Sequence, residues 1–138
     1  PFFALPPPKS LDRLDFHQRW QTVHKRYALN GVDGAATLTA FTAHSLAAAQ
    51  RWLVSPPTHW LLCGGGRHNP SLVHALRQCL GPQVVVRSID TVGFAGDALE
   101  AQAFGYLAAR HLYDLPLSFP STTGVSAPCR GGTLYPAP

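Results

Sequence analysis

Residues 60–70 read Trp60-Leu61-Leu62-Cys63-Gly64-Gly65-Gly66-Arg67-His68-Asn69-Pro70. A short apolar run ends in three consecutive glycines, and an Asn-Pro helix start follows at once. Glycine has no Cβ, so its backbone can pass close to a ligand and take positive φ angles. The first amides of the next helix have no intrahelical partner and sit at the positive end of its dipole. Strand, glycine turn and helix N-terminus therefore make a favourable place for a nucleotide or another anion. The glycines alone leave a second reading open, a tight βα turn with no ligand.

On either side of this stretch the pattern is that of alternating strands and helices. His59 to Cys63 is almost continuously apolar, as expected of a strand covered on both faces. Asn69 can cap a helix and Pro70 suits its first position. That helix runs to about Leu80, with Gly81 just past its end and Pro82 beyond. Val84 to Ile89, rich in β-branched residues, is a second strand. Asp90 to Gly96 is a loop, and Asp97 to about Tyr113 is the last long helix.

Upstream, Pro6-Pro7-Pro8 fixes φ and removes three amide donors, so residues 1–10 read as an extended, proline-rich arm. Ser10 can cap a helix from Leu11, with Asp12 in its first turn and Leu14, Phe16, Trp20 and Val23 marking an apolar face. Asn30-Gly31 and Asp33-Gly34 are turn signals. Ala35 to Val54 is the longest helix candidate; its alanines predict close packing and burial, and Ser55-Pro56-Pro57 stops it. Residues 117–138 read as a coil tail, in which Thr122-Thr123-Gly124 is either a nest of backbone donors or an ordinary turn. The whole is an α/β fold with parallel strands, flanking helices and a right-handed helical crossover. Two strands make an incomplete sheet.

Length and composition narrow the class. The 138 residues suffice for one domain with a real core, and 46% apolar against 13% charged residues is a globular balance. The chain begins Pro1-Phe2-Phe3 and contains no methionine, so the expectation is a processed chain or part of a longer one. The net charge is +4, but the basic residues are scattered and no run interleaves them with aromatics. No nucleic-acid partner is expected. The three cysteines are odd in number and widely spaced, which fits a reducing cytoplasm better than a disulfide framework. No stretch approaches the roughly 18 apolar residues that span a membrane, and no membrane partner is expected.

Candidate chemistry centres on two places. Asp97-Ala98-Leu99-Glu100 is a capping-box pattern, which would explain both carboxylates without a ligand. Glu100 also shares a helix face with the apolar Phe104 and Leu107, so it must be capped, paired or turned to a cleft. Around the glycines, Arg67 reads as a surface arginine that could meet a phosphate, His68 as a solvated loop residue and Cys63 as a small buried apolar one. The seven histidines show no metal-ligand spacing, so no metal site is expected. Nothing fixes the partners of a catalytic triad.

Three blocks taken together resemble the anhydro-N-acetylmuramic acid kinase family. Gly64-Gly65-Gly66-Arg67-His68-Asn69-Pro70 is similar to its GGGxxNP turn. Gly96-Asp97-Ala98-Leu99-Glu100-Ala101-Gln102-Ala103-Phe104 is similar to its DxxEAxAF helix, and Pro6-Pro7-Pro8-Lys9-Ser10 to its PPPKS segment. The blocks Ala36-Thr37-Leu38-Thr39, Thr123-Gly124-Val125 and Leu134-Tyr135-Pro136 fall in the expected order. The resemblance covers essentially the whole chain. It departs at Ser10-Leu11-Asp12-Arg13, where the family segment reads STGRE, which leaves Ser10 without an inherited role.

The resemblance implies the two-lobed superfold of sugar kinases, Hsp70 and actin, with ribonuclease-H-like lobes around an ATP cleft. Residues 1–138 would be the C-terminal portion of its C-terminal ATP-binding lobe. The implied reaction is ATP-dependent phosphorylation of 1,6-anhydro-N-acetylmuramic acid with hydrolytic opening of the anhydro ring. It gives N-acetylmuramic acid 6-phosphate in peptidoglycan recycling. ATP and Mg²⁺ are the implied cofactors, the sugar and ATP the partners, and a cytoplasmic homodimer the implied state of the longer protein. Gly64, Gly65, Gly66 and Asn69 would lie against the nucleotide, and Glu100 would bind the sugar. The family's GTSxDG phosphate loop and its general-base aspartate are not in this stretch, so no catalytic residue is assigned here and the 138 residues alone are expected to be inactive. A non-catalytic nucleotide- or sugar-binding module of the same superfold is the alternative. A plain α/β interaction domain with structural glycines is a third reading.

Overall fold

The computed structural model describes residues 2–136; Pro1 and Ala137-Pro138, the outer ends of the predicted arm and tail, lie outside the described residues. Strands β1 (His59–Leu62) and β2 (Val85–Ser88) pair in parallel, in register from His59 opposite Val85 to Leu62 opposite Ser88. Helix α3 (Pro70–Leu80) joins them, as the strand–helix–strand order requires. Its start is built as the sequence predicts: the Asn69 Oδ1 accepts the Leu72 amide at 3.1 Å and Pro70 opens the helix. Gly81 ends it with φ of 84°.

Leu72, Ala75, Leu76, Cys79 and Leu80 recur at helical spacing and face one side. Leu76, 1% exposed, meets Val86 of β2 and Ala43 of helix α2 (Gly31–Ala47), and Trp60, Leu62 and Val84 pack around them. α3 thus lies on the strand pair, with α2 against α3. Arg77 reinforces this packing by donating to the Val86 carbonyl at 3.0 Å.

Several expectations need correction. β1 is covered on one face only: Trp60 and Leu62 are half-buried, while His59 and Leu61 are exposed. The same face carries Val85 and Arg87 of β2, and of its four residues only Val85 is half-buried. Cys63, expected to be buried at the strand end, is exposed as well. α2 begins at Gly31, because Asn30 is its cap and accepts the Asp33 amide at 2.8 Å. The supposed turn signals are thus a cap and a first turn. α2 ends at Ala47 and tightens into a 3₁₀ turn over Ala48–Trp52. It is not the buried helix its alanines suggest: only Gly34 and Ala43 are buried and Phe41 is 44% exposed.

Helix α1 (Arg13–Tyr27) is capped by Asp12, whose Oδ1 accepts the Leu14 amide at 2.8 Å, not by Ser10. The arm is not extended throughout, since Phe2–Ala4 forms a 3₁₀ turn. Its rings join those of α1 and α2: the Phe3 and Phe41 centroids are 5.7 Å apart, and those of Phe16 and Phe41 5.9 Å. These side chains wall an apolar groove of about 710 Å³.

Helix α4 (Leu99–Leu112) starts two residues later than predicted, and Phe104 on its apolar stripe stays 65% exposed. In the tail, Pro120–Thr123 forms a short helix, α5, closed by Gly124 at φ 77°. Thr122-Thr123-Gly124 is therefore a helix end and not a nest of donors. No helix among the described residues is long and apolar enough to cross a membrane.

Candidate functional site

In a parallel strand pair, the loops that leave the C-terminal ends of both strands emerge at one edge, the usual ligand edge of open α/β sheets. Here those loops are Gly64–Asn69 after β1 and Ile89–Ala98 after β2. Gly64 turns the chain out of β1 with φ of 72°, a conformation that favours glycine. A 3₁₀ turn follows over Gly65–His68, and Asn69 then caps α3. Gly66 faces Leu72, which would stand 3.5 Å from an added Cβ. Gly65 has neither a positive φ nor any described atom within 4 Å of such a Cβ. Backbone conformation therefore accounts for glycine at 64, whereas neither conformation nor packing among the described residues accounts for it at 65.

Arg67 is the hub of the edge. Expected at the surface, it has a side chain that is only 5% exposed. Its Nε donates to Asp90 Oδ2 at 2.8 Å, and its Nη1 donates both to Asp97 Oδ1 at 2.5 Å and to the Gly64 carbonyl at 3.0 Å. Asp90 lies just past β2 in a 3₁₀ turn over Ile89–Val92. It accepts the Gly96 amide at 2.9 Å and the Ser88 hydroxyl in a short contact. Gly96 is buried, and a Cβ there would come within 2.6 Å of Arg67 Nε. The two loops are also stitched through their backbones, as the Gly64 amide donates to the Gly96 carbonyl at 3.1 Å.

These contacts set the protonation states. The Arg67 guanidinium, then the Ser88 hydroxyl and the Gly96 amide, hold the Asp90 carboxyl well below the usual carboxylate range. Arg67, with a smaller contribution from His68, lowers Asp97 to about 2. The two carboxylates in turn push Arg67 upward, Asp97 contributing most. At neutral pH all three are charged, and the cluster carries one net negative charge when His68 is neutral.

Asp97 does not cap α4. Ala98 is the cap residue, without a side-chain hydrogen bond, and the predicted capping box does not form because Arg67 engages Asp97. Glu100 is left exposed in the first turn of α4, three residues after Asp97. The site residues expected from sequence thus fall on two segments, Gly64–Asn69 and the start of α4, which Arg67 joins through Asp97. His68 is 62% exposed, with Nε2 3.3 Å from Asp97 Oδ1. No group of three or more His, Cys, Asp or Glu among the described residues could hold a metal ion. The Arg67–Asp90–Asp97 cluster escaped sequence reading. The usable signal was topological: the βαβ order puts residues just after each parallel strand at one edge.

A family model described as anhydro-N-acetylmuramic acid kinase matches residues 1–137. Curated relatives with that name are similar over almost the whole chain. The protein from Rhodopseudomonas palustris (strain ATCC BAA-98 / CGA009) is 51% identical over 138 residues, which are 97% of this chain and 35% of the relative. That from Rhodospirillum rubrum is 49% identical over 136 residues, 99% of this chain and 34% of the relative. That from Acidiphilium cryptum is 51% identical over 134 residues, 97% and 36% respectively. The chain thus spans about a third of the length of the curated relatives it matches.

Proposed function

Because the chain belongs to the anhydro-N-acetylmuramic acid kinase family, we propose that the longer protein phosphorylates 1,6-anhydro-N-acetylmuramic acid at the expense of ATP, with water opening the anhydro ring. The product is N-acetylmuramic acid 6-phosphate, a step in recycling peptidoglycan. The single observation that carries this reading is the match over residues 1–137 to a family of that description. The 138 residues are then the C-terminal portion of the C-terminal lobe of an actin-like ATPase fold. The exposed residues on one face of the β1–β2 pair are consistent with covering elements in the longer protein, and the edge of each strand left unpaired among the described residues with a sheet that continues there. The same reading puts that protein in the cytoplasm and allows a homodimer; size-exclusion chromatography tests the oligomeric state.

The geometry supports a nucleotide wall at Gly64–Gly66. The open space at Gly65 lets a ligand approach the backbone closely. The first amides of the 3₁₀ turn have no partner within that turn and can donate to an anion. Arg67 is engaged by Asp90 and Asp97, so backbone donors and not this cation would meet the nucleotide. Asn69 holds the wall against α3 through its cap. Glu100, exposed and free of side-chain hydrogen bonds among the described residues, is available to accept from a sugar hydroxyl. ATP would supply the phosphoryl group. Mg²⁺ would offset charge on the phosphates; no group of three or more His, Cys, Asp or Glu among the described residues could hold it without them. Positioning and electrostatics do most of the work in phosphoryl transfer.

The test is steady-state ADP release by the full-length protein, wild type and Glu100→Ala. The expected result is sugar-dependent turnover that collapses in the variant. Turnover indifferent to the sugar would contradict the reading.

A further inference from the structure

We propose that Arg67 is a positioning residue: through Gly64, Asp90 and Asp97 it fixes the spacing between the glycine turn and the first turn of α4, which carries Glu100. This rests on the reading above, in which the glycine turn meets the nucleotide and Glu100 meets the sugar. One guanidinium grips two carboxylates 23 and 30 residues downstream together with the nearby Gly64 carbonyl, and Nε and Nη1 take different partners. A lysine ammonium has no such fork. The side chain is 5% exposed, and the glycine at 96 leaves it room that any Cβ would occupy. The backbone stitch from the Gly64 amide to the Gly96 carbonyl joins the same two loops.

The use made of Asp97 also points beyond a local staple. An aspartate at that position is suited to capping α4, which would stabilise the helix from within. Instead its carboxylate is given to Arg67, and α4 starts without a side-chain cap. The start of α4 is thus tied to the glycine turn more directly than to its own first amides. Two separately held reactants must meet within a narrow geometry, and a misplacement of about 1 Å can cost on the order of 100-fold in rate.

The experiment uses the full-length enzyme with Arg67→Met, Arg67→Lys, Asp97→Asn and the Arg67→Met/Asp97→Asn double variant. It reads kcat, both KM values and the melting temperature. The expected result for Arg67→Met is a kcat lower by about 10- to 100-fold, with each KM within about threefold because each half-site survives. Arg67→Lys should recover part of that loss, and the double variant should be no worse than Arg67→Met, which already removes the tie to Asp97 along with the other two. Wild-type kcat in a folded Arg67→Met, or a fall in melting temperature with kcat per folded molecule unchanged, overturns the proposal. If Arg67→Met does not fold, Arg67→Lys and Asp97→Asn carry the same comparison, and wild-type kcat in both overturns it. A wild-type enzyme without sugar-dependent turnover overturns the functional reading and the positioning role with it. An active wild type beside an equally active Arg67→Met removes the positioning role alone.

Discussion

Gly96 and Arg67 share a space that admits only one of them to grow. An added methyl at 96 would stand 2.6 Å from a guanidinium already held by two carboxylates and a carbonyl. Gly96→Ala in the full-length enzyme should therefore destabilise by about 1–3 kcal/mol, as over-packing does, and should loosen the protection of the Gly64 amide against hydrogen exchange. Denaturant titration with amide exchange checks both. Glu100 is the opposite case, exposed and without side-chain partners among the described residues. Glu100→Ala should shift stability by no more than about 0.5 kcal/mol, while kcat falls on the order of 100-fold. An unchanged rate with a lowered melting temperature would make it a structural residue. The pH dependence follows from the depressed carboxyls. Asp97 is held at about 2, below an ordinary aspartate, and Asp90 is lowered as well. Their contribution is fully present above the ordinary carboxylate range and is lost as pH falls from about 4 towards 2. Exchange protection of the Gly64 and Gly96 amides should fall across that window and stay flat from pH 5 to 8.

At the scale of elements, α3 was the most legible part of the chain. Cap, first-turn proline, apolar spacing and closing glycine all agree between residues 69 and 81, and the structure shows each of them. Asn69→Ala should cost about 1 kcal/mol, and Leu76→Ala about 2–5 kcal/mol because that side chain is fully enclosed. Chemical denaturation of the full-length protein measures both. The helix starts were less legible. Asn30-Gly31 and Asp33-Gly34 use residues common to turns and caps, and only the hydrogen bond from the Asp33 amide to Asn30 decides between them. Ser10 and Asp12 are both good caps, and Asp12 is the one used. At the start of α4 a local pattern was overridden: Asp97 and Glu100 spell a capping box, but Arg67, 30 residues upstream, takes Asp97. A local motif cannot show a competitor brought in by a crossover. The glycine turn was legible as strand, turn and helix, whereas the hub beside it depended on which strands pair.

At the scale of the whole molecule, the exposed apolar surface is the informative feature. Phe41, Leu61, Phe104 and Leu112 are all substantially exposed, and β1 shows one bare face. Composition predicted a globular protein and alanine content predicted a buried α2, but burial depends on neighbours that composition does not name. The 138 residues span about a third of their curated relatives, so the isolated stretch should show no sugar-dependent ATP turnover. Activity from these residues alone would contradict that expectation. The proposed reaction belongs to the longer protein. Its most direct test is the mass of the sugar product after the full-length enzyme has consumed ATP in the presence of 1,6-anhydro-N-acetylmuramic acid. The expected product is heavier than the substrate by one phosphoryl group and one water and forms in step with ADP; ADP release with the sugar recovered unchanged would rule this reaction out.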